Sequence, residues 1–316
     1  MALVDMNALF RYAMKGQYTV GAYNVFNLDT LIAVLQAAEA ENSPVIVQVS
    51  MGCRKYQPDF STFVQCVKLY ADKTQVPVGF NHDHCISVDH AKEAIDYGIP
   101  SVMFDGSHLS FDENVQATCE IVKYAHSKGA SVEAELGKMA GFEDDVFADS
   151  TEFTRPEAAA RFIKLTGCDS LAVSVGTSHG GVLGDAPLTM HFEILSEIRR
   201  AIPDGFPLVL HGAASLPEAL VEAVNLQGGE VPQMRNCSEE DISAAAKYGV
   251  VKANMDVDNH LCYTETIRRT LNEIRDRYDP RLYLKPAREA FMEEVRHKMR
   301  CVSMSSGRNW LGEETS

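Results

Sequence analysis

Three histidines lie far apart in the chain but share a context. His84, His179 and His211 each end or follow a short apolar run. Imidazoles brought together from three such places can hold Zn²⁺ and leave one coordination position open. Three separately hydrogen-bonded histidines are the plain alternative. Glu135 is available as a fourth or alternate ligand, or as a carboxylate that orients one. Asp83 directly precedes His84. Neighbouring side chains of an open loop diverge, so Asp83 need not share the ion and can handle protons beside it. Its competing uses are as a helix N-cap or as a histidine orienter. Glu143 lies in GKMAGFEDDVF, where Gly137 and Gly141 make the segment bendable. It can swing toward a substrate as a second acid/base group, or belong to an ordinary acidic loop.

SVGTSHGG and LHGAAS are rich in small residues. Gly176, Gly180, Gly181 and Gly212 could offer backbone N–H groups to an anion there, although small residues also occur wherever a loop turns. Asn254 and Asp256 alternate to one side of the last apolar run, suited to substrate hydroxyls or a monovalent cation, with helix capping as the competing account. Lys252 shares that alternation and is the lysine to consider for a Schiff base, a chemistry that would leave the histidines unexplained.

Eight apolar runs must position these groups: 20–25, 44–50, 76–83, 101–107, 130–137, 170–176, 207–212 and 250–256. Helix-like segments separate them, and runs such as VIVQV and LAVSV are apolar on both faces, as parallel strands covered by helices are. Asn24 and Ser50 close the first two. A single (β/α)8 barrel over 1–316, with an amphipathic N-terminal helix and a C-terminal helical extension, accounts for the count better than two open sheets. The strand ends then converge on one face. The chain has 316 residues, 46% hydrophobic and 23% charged, enough for a sizeable core. A formal charge of −15 argues against a general nucleic-acid or anionic-membrane binder. Eight cysteines without a C-x-x-C pair read as reduced and mostly buried, in a cytoplasmic protein. No apolar run reaches the roughly 20 residues that span a bilayer.

Taken in order, SPVIVQVSMGCRKY, HDH at 82–84, SVMFDGSHLSFDEN, SVEAELGKMAGFED, LAVSVGTSHG, LVLHG, KANMDVD and DPRLYLKPAREA resemble the class II, metal-dependent ketose-bisphosphate aldolases of the fructose/tagatose type. The resemblance implies reversible aldol cleavage of a ketose phosphate through an enediolate, in a homodimer or homotetramer with one zinc per subunit and a monovalent cation nearby. His84, His179 and His211 match the metal ligands, and Glu135 matches the carboxylate of an alternate metal position. Asp83 matches the group that protonates the aldehyde oxygen in condensation. Glu143 matches the mobile-loop base. Asn254, Gly180 and Gly212 match donor-side contacts, and Asp256 a residue near cation and substrate. Ser50 matches a distal contact. Arg281 matches an arginine that reaches a neighbouring subunit's site to hold the distal phosphate.

The departures from the pattern concern the donor phosphate. Leu183, Ala214 and Val257 stand where the family usually has a lysine, a serine and a threonine or serine, and Asn81 replaces a histidine. Ser215 offers a partial replacement. Losing an ammonium and two hydroxyls removes one charge-assisted and two neutral donors. The expectation is a metal-dependent aldolase with an altered donor-phosphate site. Its alternatives are an enzyme using an unphosphorylated donor such as dihydroxyacetone, or a non-catalytic scaffold on the same barrel.

Overall fold

The computed structural model describes residues 2–143, 146–148, 150–184 and 187–312, with backbone alone at 142, 143 and 146–148. Eight parallel strands close a barrel: β1 (Val20–Asn24), β2 (Val45–Val49), β3 (Val78–Cys85), β4 (Ser101–Phe104), β5 (Ser131–Leu136), β6 (Ser170–Val173), β7 (Leu208–Leu210) and β8 (Val250–Asn254). Each falls within one of the eight apolar runs, except that β3 continues through His84 to Cys85. β1 closes on β8 with Val20 opposite Lys252.

Helices start where the chain supplies oxygen caps. Ser50, Asp59, Ser87 and Ser110 each accept a backbone N–H in the first turn of the helix that follows. Ser50, read as a distal contact, is thus also the N-cap of Met51–Tyr56.

The N-terminal helix Met6–Gly16 closes the base. It buries Met6, Leu9, Phe10 and Ala13. Gly79 on β3 admits it: a Cβ there would lie 2.6 Å from both Leu9 Cδ1 and Met6 Sδ. Trp310 stacks on Tyr12 of this helix, with ring centroids 4.2 Å apart. The C-terminal helix Arg281–Cys301 packs along Leu28–Glu41. Arg288 pairs with Asp29 at the start of that neighbour and Arg296 with Glu41 at its end, so the C-terminal helix runs from mouth to base. Arg281 lies seven residues before Arg288, about 10 Å beyond that contact on the mouth side.

Above the basal layer the barrel interior is polar. Gln48, Asn81, Ser101, Glu133, Glu135, Lys252 and Asn254 are all buried. Asn81 donates to Gln48 (3.1 Å) and accepts from Ser101 (2.9 Å). All eight cysteines are free; Cys53, Cys85, Cys168, Cys237 and Cys262 are buried, whereas Cys301 is exposed. Among the described residues no helix is long and apolar enough to cross a membrane.

Candidate active site

The three histidines meet. His84 is the penultimate residue of β3, His179 follows β6 and His211 follows β7, and one nitrogen from each lies within 4.8 Å of the others. All three are buried. His84 and His211 are closest, Nε2 to Nδ1 at 3.0 Å.

Asp83 and His84 lie within β3 and not in an open loop, and backbone geometry brings them together against the expected divergence. His84 has φ 43°, left-handed, and the β3–β4 register shifts between His82 and Cys85. Both side chains therefore face the barrel mouth. Asp83 accepts from Asn254 Nδ2 (3.1 and 3.2 Å) and from Gln48 Nε2 (3.1 Å). It caps no helix, that role going to Ser87. His82 packs outward against Phe60, with ring centroids 5.9 Å apart. Burial pulls its pKa down to about 3, so this imidazole stays neutral.

The histidine orienters were missed in the sequence. Asp105, just past β4, accepts from His84 Nδ1 at 3.2 Å. Glu133 on β5 accepts from His211 Nε2 at 2.7 Å. Both carboxylates are held ionised. Burial pushes Asp105 up, but the His84 ring outweighs it and leaves the carboxyl well below its usual range. Burial likewise raises Glu133, but the Lys252 ammonium and His211 together bring it down to about 2. Ser and Asp abound at strand ends, so Asp105 carried no distinct signal; Glu133 shares the inward alternation of Glu135 and could have been found by it.

These contacts test the site for a cation. Ionised Asp105 accepts a hydrogen bond from His84 Nδ1–H, and ionised Glu133 accepts one from His211 Nε2–H. The two nitrogens that face each other across 3.0 Å are then both lone-pair acceptors. Only a proton or a cation satisfies both, and carboxylate-oriented imidazoles are a common outer arrangement of metal ligands. The donor set fits a divalent ion. Glu135 lies with His84 and Asp105 in a second, overlapping group, and its Oε2 is 3.6 Å from His211 Nδ1.

A cavity of about 390 Å³ opens at this face. Asn24, Ser50, Gly180, Gly212, Asn254 and Asp256 line it, as do Ala214, Val257, Phe26, Tyr56 and His260. His260 and the two aromatic rings were not anticipated. Asp256 makes no side-chain cap for the helix Val257–Glu273; its Oδ1 is 3.2 Å from His260 Nε2. Gly212 has φ 57°, and a Cβ there would meet Ser178 O at 2.4 Å.

Three expected groups fall elsewhere, and a fourth is not described. Ser215 does not line the cavity; its hydroxyl accepts from buried Lys298 at 2.9 Å. Arg281 is 89% exposed and pairs with Asp279, outside the cavity of its own chain. Lys252 is buried, with Nζ 2.7 Å from Glu133 Oε2, which occupies the amine proposed for a Schiff base. Glu143 lies in the short strand Gly141–Glu143, but its side chain falls outside the described residues. The base of that segment is fixed on the site: His179 N donates to Ala140 O at 3.0 Å, and a Cβ on Gly141 would fall 1.9 Å from His179 O.

A family model described as "Fructose-bisphosphate aldolase class-II" matches residues 4–308. The chain belongs to this family. It is a class II metal-dependent aldolase, a carbon–carbon lyase acting on a ketose bisphosphate. It is 42% identical to a fructose-bisphosphate aldolase of Treponema pallidum (strain Nichols), over 98% of both chains. Identity to the enzyme of that name from Giardia intestinalis is 38%, over 95% of this chain and 93% of the relative. Among solved structures, the YdjI aldolase of Escherichia coli K12 matches with a TM-score of 0.77 and 29% identity, over 97% of this chain and 99% of the other. A putative fructose-1,6-biphosphate aldolase from Coccidioides immitis matches with a TM-score of 0.79 and 25% identity, over 96% and 97%.

Proposed function

We propose that this aldolase cleaves fructose 1,6-bisphosphate or a close ketose relative, with one zinc ion per subunit on His84, His179 and His211 and an alternate position at Glu135. The observation that carries this reading is the buried histidine triad beside Asp83 at the barrel mouth. A divalent ion held there supplies Lewis-acid polarisation of a substrate carbonyl. Asp83 accepts the proton of the hydroxyl next to the breaking carbon–carbon bond. The amides of Gln48 and Asn254 fix its rotamer for that transfer. Glu143 returns a proton to the carbon left by cleavage, from a segment based on His179. Separate carboxylates thus serve two separate proton transfers. Asn24, Ser50, Asn254 and Asp256 bind the substrate's polar groups, with a monovalent cation at Asp256. The N–H groups of Gly180 and Gly212 receive a phosphate.

Arg281 serves a neighbouring subunit's cavity in a homodimer or homotetramer. Its exposure and its position beyond the mouth-side contact of Arg288 with Asp29 support this reading. The protein acts in the cytoplasm as a single barrel domain.

One observation favours a second reading for the donor. Among the described residues lining the cavity there is no lysine or arginine. Leu183 is 75% exposed, and Ala214 and Val257 add no donor. A missing charge-assisted bond costs about 1.5–3 kcal/mol, or roughly tenfold to a hundredfold in binding. An unphosphorylated donor such as dihydroxyacetone would suit this wall. The deciding experiment measures proton exchange on dihydroxyacetone phosphate and dihydroxyacetone with zinc-loaded enzyme. A strong kcat/KM preference for the phosphate ends the second reading. Full cleavage activity in chelator-treated, metal-free enzyme ends the first.

A further inference from the structure

Lys298 is a cation fully removed from water on the C-terminal helix, and the proposed chemistry does not use it. Its Nζ lies 2.6 Å from Asp258 Oδ2, 2.7 Å from Glu239 Oε1 and 3.4 Å from Glu294 Oε1. It also donates to Ser215 Oγ at 2.9 Å. Ser215 and Asp258 are joined directly as well. The backbone N–H groups of Ser215 and Leu216 donate to the Asp258 carboxylate at 3.0 and 2.9 Å.

The two joined segments lie side by side in the cavity wall, since they follow paired strands. Ser215 follows Ala214 on the loop after β7, and Asp258 follows Val257 after β8. A buried ammonium with several carboxylates is an expensive way to fill space, because apolar residues of similar volume often serve stability as well. What the charge adds is a fixed distance. Short charge-assisted bonds hold Ser215 and Asp258 to one point on a third element.

We propose that Lys298 is a positioning residue: through Asp258 and Ser215 it sets how the loop after β7 sits against the start of the helix Val257–Glu273, and with it the spacing of Ala214 and Val257 in the cavity wall. This rests on reading that cavity as the substrate site. It goes further in assigning substrate fit to a residue on the C-terminal helix that does not line the cavity.

The test uses full-length zinc-loaded enzyme. Lys298→Met is compared with the charge-balanced pair Lys298→Met, Glu239→Gln, which keeps the experiment open should the single variant fold poorly. Two readouts are taken on the folded protein. Amide hydrogen exchange at Ser215 and Leu216 should accelerate at least tenfold while zinc content stays stoichiometric. KM for fructose 1,6-bisphosphate should rise about tenfold with kcat changing less than threefold. A lysine that only supports the fold would lower the active fraction, and hence apparent kcat, at unchanged KM. Unchanged exchange at the two amides, or a KM within twofold of wild type, overturns the proposal. Wild-type enzyme that fails to cleave the bisphosphate overturns the functional reading instead, and the exchange rates then decide the coupling by themselves.

Discussion

Lys252 Nζ stands 2.7 Å from Glu133 Oε2, and the other oxygen of the same carboxylate is 2.7 Å from His211 Nε2. A lysine on the last strand and a histidine at the metal-binding face are thus coupled through one buried group. Borohydride reduction during turnover should leave no substrate-derived mass on Lys252, as judged by intact-protein and peptide mass spectrometry. A reduced adduct there would restore Schiff-base chemistry.

Glu133 also predicts an acid response. Its carboxyl titrates at about 2 in the fold, below its ordinary 4.5. The stability it contributes is complete above the ordinary value and is lost as pH falls from there toward 2. Glu133→Gln removes one partner of a buried pair, so urea unfolding near neutral pH should show a loss of about 3–5 kcal/mol. The variant should also lack the part of the wild-type decline between pH 4.5 and 2 that comes from this group.

Asp105→Asn should weaken zinc binding about 10–100-fold, as outer partners of metal-binding histidines do. Competition with a chromophoric chelator measures this. The fold should persist, because Asp105 lies beyond the end of β4. Unchanged zinc affinity would separate Asp105 from the His84 tautomer.

Asp83→Asn should keep full zinc occupancy and lose about 10²–10⁴-fold in kcat for cleavage. A matched loss of zinc would instead make Asp83 a ligand.

The Arg281 reading has a complementation test. Arg281→Ala should raise KM for substrates with a terminal phosphate and spare smaller ones. Asp83→Asn should be nearly inactive. Co-assembled oligomers of the two should recover low-KM turnover, because a site with Asp83 from one chain and Arg281 from the other is intact. Mixtures that show only the sum of the separate activities would return Arg281 to its own chain.

Much of this site was legible because strand ends in a parallel barrel share one face. His84, His179 and His211 could be grouped on that rule alone, and the eight apolar runs located every barrel strand. What escaped was the pairing across strands. Asp105 looks like any loop aspartate until β4 is laid beside β3. The left-handed turn at His84 reversed the expected divergence from Asp83, and nothing in HDHC announces it. Ser215 could be placed near the site by number, but its hydroxyl answers to Lys298, a residue 83 positions away. The rings of Phe26 and Tyr56 carry no mark of a cavity wall until the first two strands stand side by side.

The stack of Trp310 on Tyr12 makes the protein optically two-sided. Trp310 is the single tryptophan of the chain, and it sits on the N-terminal helix that closes the base. Its emission will follow detachment of the carboxyl-terminal segment from that helix and will be blind to events at the mouth. A fluorescence titration with substrate should therefore be flat even when binding is tight, whereas the same signal during denaturation reports whether the two ends of the chain are still clasped.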